Sequence, residues 1–253
     1  MFLFLKRSFQ ILCILLFLNS CASLDMDSLK MLVNDPYKDL TIADTYRVSA
    51  NAVIKSAKCM ADSIQLAIVA LEATEIKAEK YLGSADSLSR SNQSIGAQLK
   101  GAQKIGQEST NDAKVIIDKL NSFIEGGFKL SKEAKQKMKS SYNSLIKGSV
   151  QQAWATKGGI SFSKKINAAD ASKEIQNAIA DKKLGVTMED IQAFPKTVKT
   201  YATNFKNVFE IANKMREISD LKGDTDSTAT ELIQNEEENV VEQEISELAK
   251  DKG

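Results

Sequence analysis

Between Thr187 and Ile218 an apolar residue returns at every third or fourth position: Ile191, Phe194, Val198, Tyr201, Phe205, Val208, Ala212, Met215 and Ile218. A turn of 3.6 residues places them all on one side of a helix, whereas alternation across a strand would scatter them over both faces. The stripe requires a helix roughly 45 Å long that other elements must cover. The same spacing recurs upstream at Val53, Ala57, Met60, Ala61, Ile64, Ala67, Ile68 and Leu71. No run alternates with a period of two, and Pro36 and Pro195 are the only prolines in 253 residues. The expected fold is therefore all-α, an elongated antiparallel bundle of about four to five helices over residues 41–219.

Local signals divide that region. The first helix is expected from Thr41 to Leu82, ending at Gly83. A second covers Ser84 to Glu125, with Leu88, Ile95, Leu99, Ala102, Ala113, Ile116, Leu120 and Phe123 on its apolar side. Within it Gly96, Gly101 and Gly106 stand five apart, a spacing that shares no helix face, so they read as weak points where the helix bends. Ser131 is a suitable N-cap for a third helix that turns Ala134, Met138, Leu145, Ser149 and Ala153 inward and closes at Gly158 and Gly159. A short helix follows from about Ala169 to Lys183. Thr187 and Asp190 then form a capping-box pattern ahead of the main stripe, and Pro195 is expected to kink or split that helix near Phe194. Residues 220–228 carry no ordering signal, and residues 231–249 suggest a loosely attached acidic helix within an acidic tail, residues 220–253.

The first twenty residues follow a different logic. Lys6 and Arg7 precede an apolar run from Ile11 to Leu18, then polar Asn19 and small Ser20, which is the order of a secretory signal. The run is too short and too interrupted for a spanning helix of ~20 apolar residues. Leu18, Asn19, Ser20 and Cys21 resemble the lipobox of bacterial lipoproteins. The resemblance implies that residues 1–20 are removed, that Cys21 carries a covalent lipid and its new amine an acyl group, and that residues 21–40 form a flexible tether. Ala22 after the cysteine, in place of Asp, resembles outer-membrane cargo. Two other readings stand beside this one: cleavage after Ala22 by ordinary signal peptidase, and retention of the segment as a signal anchor. Once Cys13 leaves and Cys21 is acylated, Cys59 is the remaining cysteine, so no intramolecular disulfide framework is expected. Cys59 lines up on a helix with Ala52, Ser56, Ser63 and Ala70, and the expectation is an inert buried thiol.

Catalytic signals are scarce. The chain has no histidine, which removes the commonest general base and the commonest metal ligand. Lys157–Phe162, KGGISF, is glycine-rich but lacks phosphate-loop spacing. No enzymatic activity, metal or cofactor beyond the lipid on Cys21 is expected. Charge is more informative. Residues 220–253 hold eleven acids and three lysines, whereas residues 128–165 hold nine lysines against Glu133 alone. Those lysines, Lys129, Lys132, Lys135, Lys137, Lys139, Lys147, Lys157, Lys164 and Lys165, are the candidate patch for an anionic surface. Solvated faces and docking of the acidic tail on the patch are the competing explanations. Nucleic acid is not expected, because no stacking aromatics accompany the basic stretch. The functional expectation is a lipid-anchored protein of the bacterial cell envelope, at the outer membrane, that binds an envelope or host protein through helical surfaces. The alternative is a membrane-active or lipid-binding helical protein, pore-forming or apolipoprotein-like, that inserts a segment such as Gln65–Leu71.

Overall fold

In a computed structural model the protein is described over residues 36–73, 93–218 and 220–223, together with residues 76, 81, 88, 225, 229 and 231–233. The lipobox-like segment, Cys21, and the acidic residues from 234 onward lie outside the described residues. Among the described residues five helices have defined bounds: α1 (Ile42–Ala70), α2 (Ile95–Glu125), α3 (Lys132–Ile166), α4 (Ala171–Ala180) and α5 (Met188–Glu217). The protein is an all-α bundle in which α1, α2, α3 and α5 pack around one apolar core, and no strand occurs among the described residues.

Most helix starts follow their sequence signals. The Thr41, Ser94 and Ser131 side chains each accept from the amide three residues on. At α5 the box closes in both directions: the Asp190 amide donates to the Thr187 hydroxyl oxygen and the Thr187 amide to the Asp190 carboxylate. All nine residues of the α5 stripe are buried. Pro195 does not split the helix, which is continuous from Met188 to Glu217. Proline removes one amide, and the buried side chains on either side, Phe194 and Val198, outweigh that loss.

Three helix boundaries differ from expectation. Helix α2 starts at Ile95 behind its Ser94 cap, not at Ser84. Helix α1 ends at Ala70, twelve residues early, because Glu72 adopts a left-handed backbone with φ of 50°. The Ala73 amide reaches back to the Ile68 carbonyl at 2.9 Å and the Glu72 amide to that of Val69 at 3.4 Å, a Schellman cap with glutamate where glycine usually stands. Helix α3 runs through Gly158 and Gly159 to Ile166. Those glycines do not terminate it. They let neighbours approach: a Cβ on Gly158 would lie 2.5 Å from Ser49 Cβ, and one on Gly159 would lie 3.0 Å from Val198 Cγ1. The glycines of α2 act in the same way on three different partners, Gly96 against the Gly185 carbonyl, Gly101 against Leu88 and Gly106 against the Tyr201 ring.

The pairing of α1 and α3 sets the register of the bundle. Ser49 donates to the Ala155 carbonyl at 2.8 Å and Ser56 to that of Gly148 at 3.1 Å, while Ser141 donates to the Ser63 carbonyl at 2.8 Å. Since the Ser141 proton is committed there, the 2.8 Å contact between the two hydroxyls has Ser63 as donor. The positions step by seven on both helices in opposite directions, so the two run antiparallel in a heptad seam. Small side chains bring the axes close; Ser49, Ser56 and Ser141 are satisfied by the facing backbone and Ser63 by the Ser141 hydroxyl. This seam is the face of small residues read around Cys59, which itself is half-buried. On α3 the inward residue is Gln152, not Ala153, which is exposed. The heptad from Met138 through Leu145 reaches Gln152 and Gly159, so the buried line crosses a polar residue and a glycine that apolar spacing alone passes over.

Helix α5 is antiparallel to α3, with Gly159 facing Val198 and Gly148 facing Phe205. Helices α2 and α5 instead run parallel: Lys100 meets Asp190, Gly106 meets Tyr201 and Thr110 meets the Asn204 carbonyl. The bundle thus mixes polarities within its all-α architecture. At the end where α1 begins, Tyr46, Phe162 and Phe194 form an aromatic cluster with centroid separations of 4.2–5.8 Å. Helix α4 latches that end, through Glu174 accepting from the Ile42 amide and Asp181 accepting from Arg47 at 2.8 Å. Packing starts ahead of α1. Within the segment expected to be tether, Tyr37 is buried and donates to the Trp154 carbonyl. Past α5, Leu221, Thr225 and Ala229 are likewise buried, so the stretch after Asp220 carries more packing than its composition suggested.

Candidate functional site

The candidate lysines divide by position once α3 is one continuous helix of about 52 Å. Lys129, Lys132, Lys137 and Lys164 are exposed, while Lys135, Lys139, Lys147, Lys157 and Lys165 are half-buried. Lys129, Lys132, Lys135, Lys137 and Lys139 gather at the amino-terminal end of α3 and the turn before it. Lys132, Lys135 and Lys139 share one face by their three- and four-residue spacing, and Lys137 points away from it. Lys164 lies about 48 Å farther along the axis. The nine residues are therefore not one site.

Two of the carboxy-terminal lysines, Lys157 and Lys165, have structural employment. Lys165 donates to the carbonyls of Lys38 at 2.9 Å and Leu40 at 2.7 Å, which holds the turn before α1 against the end of α3. The Lys157 ammonium lies 5.3 Å from the Trp154 ring, and Trp154 itself is buried. Lys129, Lys132 and Lys137, at the amino-terminal end, are exposed together.

Directly before that group in the sequence stands a residue the lysine pattern passed over. Phe128 is 66% exposed, the most exposed of the large apolar side chains described. It is held there. Gly127 takes a left-handed φ of 61°, the Phe128 amide donates to the Phe123 carbonyl at 3.3 Å, and the ring lies over Gly126, whose missing Cβ makes room for it. The Phe123 ring packs beside it with centroids 6.0 Å apart. The double glycine before an aromatic was the available signal, and it was absorbed into the expectation of a helix end.

The second segment of interest, Gln65–Leu71, is mostly consumed by the core: Ala67, Ile68 and Ala70 are buried, Leu66 is half-buried and Val69 is 41% exposed. No helix among the described residues is long and apolar enough to cross a membrane. Among the titratable groups, partial burial works against ionisation of Asp190, yet hydrogen bonds from the Thr187 amide and hydroxyl, aided by Lys100, more than offset it and hold the carboxyl below the usual range. Capping explains that shift without any catalytic role. The chain matches no protein-family model, and no curated protein or solved structure is significantly similar to it.

Proposed function

We propose that this chain is a lipid-anchored protein of the bacterial cell envelope, held at the outer membrane through Cys21, that acts by binding a protein partner with its helical surfaces and performs no catalysis. The observation that carries the reading is Leu18-Asn19-Ser20-Cys21 placed directly after a basic and then apolar leader. Several acyl chains on one cysteine anchor firmly, since each buried CH₂ contributes ~0.8 kcal/mol. The membrane-inserting alternative has less support, because burial of Ala67, Ile68 and Ala70 breaks up the apolar surface it would use. Metabolic labelling with palmitate in a bacterial host tests the anchor. The wild-type chain should take up label and Cys21→Ser should not. Equal labelling of both, or of neither, contradicts the anchoring. For the partner, photo-crosslinkers at exposed α3 positions in intact cells should yield a discrete adduct, and none at any position would contradict the interaction.

A further inference from the structure

We propose that the turn joining α2 to α3 is a lipid-surface contact, in which Phe128 enters the interfacial layer of an anionic bilayer while Lys129, Lys132 and Lys135 sit among its headgroups. The proposal goes beyond anchoring by Cys21, since it needs no acyl chain. Three observations carry it. The Phe128 ring is exposed yet fixed by Gly126, Gly127 and Phe123, so it pays little ordering entropy on insertion. Between residues 126 and 139 five lysines face Glu133 alone, which selects a negatively charged occupant. The apolar element is also small. One aromatic side chain offers on the order of 200 Å², with Leu130 half-buried beside it, whereas a stable protein contact takes about 800 Å² from each partner. An aromatic ring followed closely in sequence by lysines suits the water–lipid boundary, where one part is apolar and the other wet. The antiparallel seam puts this turn at the end of the bundle opposite Pro36.

The test uses residues 22–253, which hold every described element and lack both signal and lipid. Flotation is measured with vesicles of phosphatidylcholine alone and of roughly two parts phosphatidylcholine to one of phosphatidylglycerol. The chain should bind the anionic vesicles more tightly, and less so as salt rises. Phe128→Ser should weaken that binding about tenfold or more. Lys129→Glu with Lys132→Glu should remove the preference for anionic vesicles, at about fivefold per lysine. All are exposed, so thermal melts should stay unchanged. Phe128→Trp should retain binding and add blue-shifted fluorescence on vesicles, which keeps the test sound if the serine variant folds poorly. Wild-type binding no tighter to anionic than to neutral vesicles would overturn the proposal. So would equal binding by Phe128→Ser, or a wild-type dimer that Phe128→Ser converts to monomer, which would make the turn a contact between copies of this chain.

Discussion

Replacing Gly158 with alanine sets two well-understood effects against each other. In the interior of a helix alanine is favoured over glycine by about 1 kcal/mol, so propensity alone predicts stabilisation. The seam predicts the opposite. A Cβ at residue 158 would lie 2.5 Å from Ser49 Cβ, 2.8 Å from its Oγ and 2.9 Å from Tyr37 Cζ, against an ordinary carbon contact of about 3.5–4.0 Å. Neither neighbour can swing away: Ser49 Cβ is fixed to the α1 backbone, and the Tyr37 hydroxyl is tied to the Trp154 carbonyl. Relief requires α1 and α3 to separate, which stretches the 2.8 Å bond from Ser49 to the Ala155 carbonyl. Overpacking costs about 1–3 kcal/mol and loss of a buried hydrogen bond about another 1 kcal/mol, so after the propensity gain the net effect should be destabilisation by about 1–3 kcal/mol. For a domain of this size that lowers the melting temperature by roughly 2–12 °C. Gly101→Ala is the control, since its Cβ meets only a rotatable Leu88 methyl and should be neutral or stabilising. Urea unfolding followed by far-UV circular dichroism reads both. Adding Ser49→Gly should recover part of the Gly158→Ala loss, with a coupling of about 1 kcal/mol in the double-mutant cycle. If Gly158→Ala were to gain stability as propensity predicts, the close seam would be wrong.

Glu72→Gly should stabilise the fold by about 1 kcal/mol, because it relieves a left-handed glutamate while keeping the Schellman cap; a loss in denaturant melts would contradict that cap. Phe205→Ala should cost about 3–5 kcal/mol and Phe209→Ala a similar amount, since both rings are buried and stacked 6.0 Å apart; a loss under about 1 kcal/mol would make the stripe a surface. Burial pushes the hydroxyls of Tyr46, Tyr81 and Tyr201 well above the usual range, aided by Asp190 beside Tyr46 and by the bond from Tyr81 to Asp112. A raised folded pKa contributes stability that is full below the ordinary phenol value near 10 and is lost as pH rises past it. Phenolate absorbance from these three should therefore appear only with alkaline unfolding, and smooth titration in the folded protein would refute their burial.

What was legible in the sequence was carried by side chains whose role is local or periodic. The α5 stripe, its Thr187 box and the Ser131 cap depend on residue type at fixed spacing, and the structure repeats them. The misjudged boundaries depend on tertiary partners. Glu72 has no intrinsic preference for a left-handed turn, so nothing local marks Ala70 as the end of α1. Gly158 and Gly159 look like a helix stop, and only the approach of Ser49 and Val198 explains why glycine stands inside a helix there. Gln152 displaced Ala153 from the buried face because a seven-residue repeat, not hydrophobicity, sets that register. At the candidate site the lysines were legible as charge, but their separation along about 52 Å of helix and the employment of Lys165 were not. Phe128 was missed because an aromatic after two glycines reads as a loop until its exposure is seen.

The central claim is that this bundle is tied to a membrane through Cys21, and the mass of the mature amino terminus tests it most directly. Purified from a bacterial envelope, the amino-terminal peptide should begin at Cys21 and carry the added mass of a diacylglyceryl group and an amide-linked acyl chain. A peptide beginning at Ser23 with a free amine, or one that still carries Met1, would contradict the account.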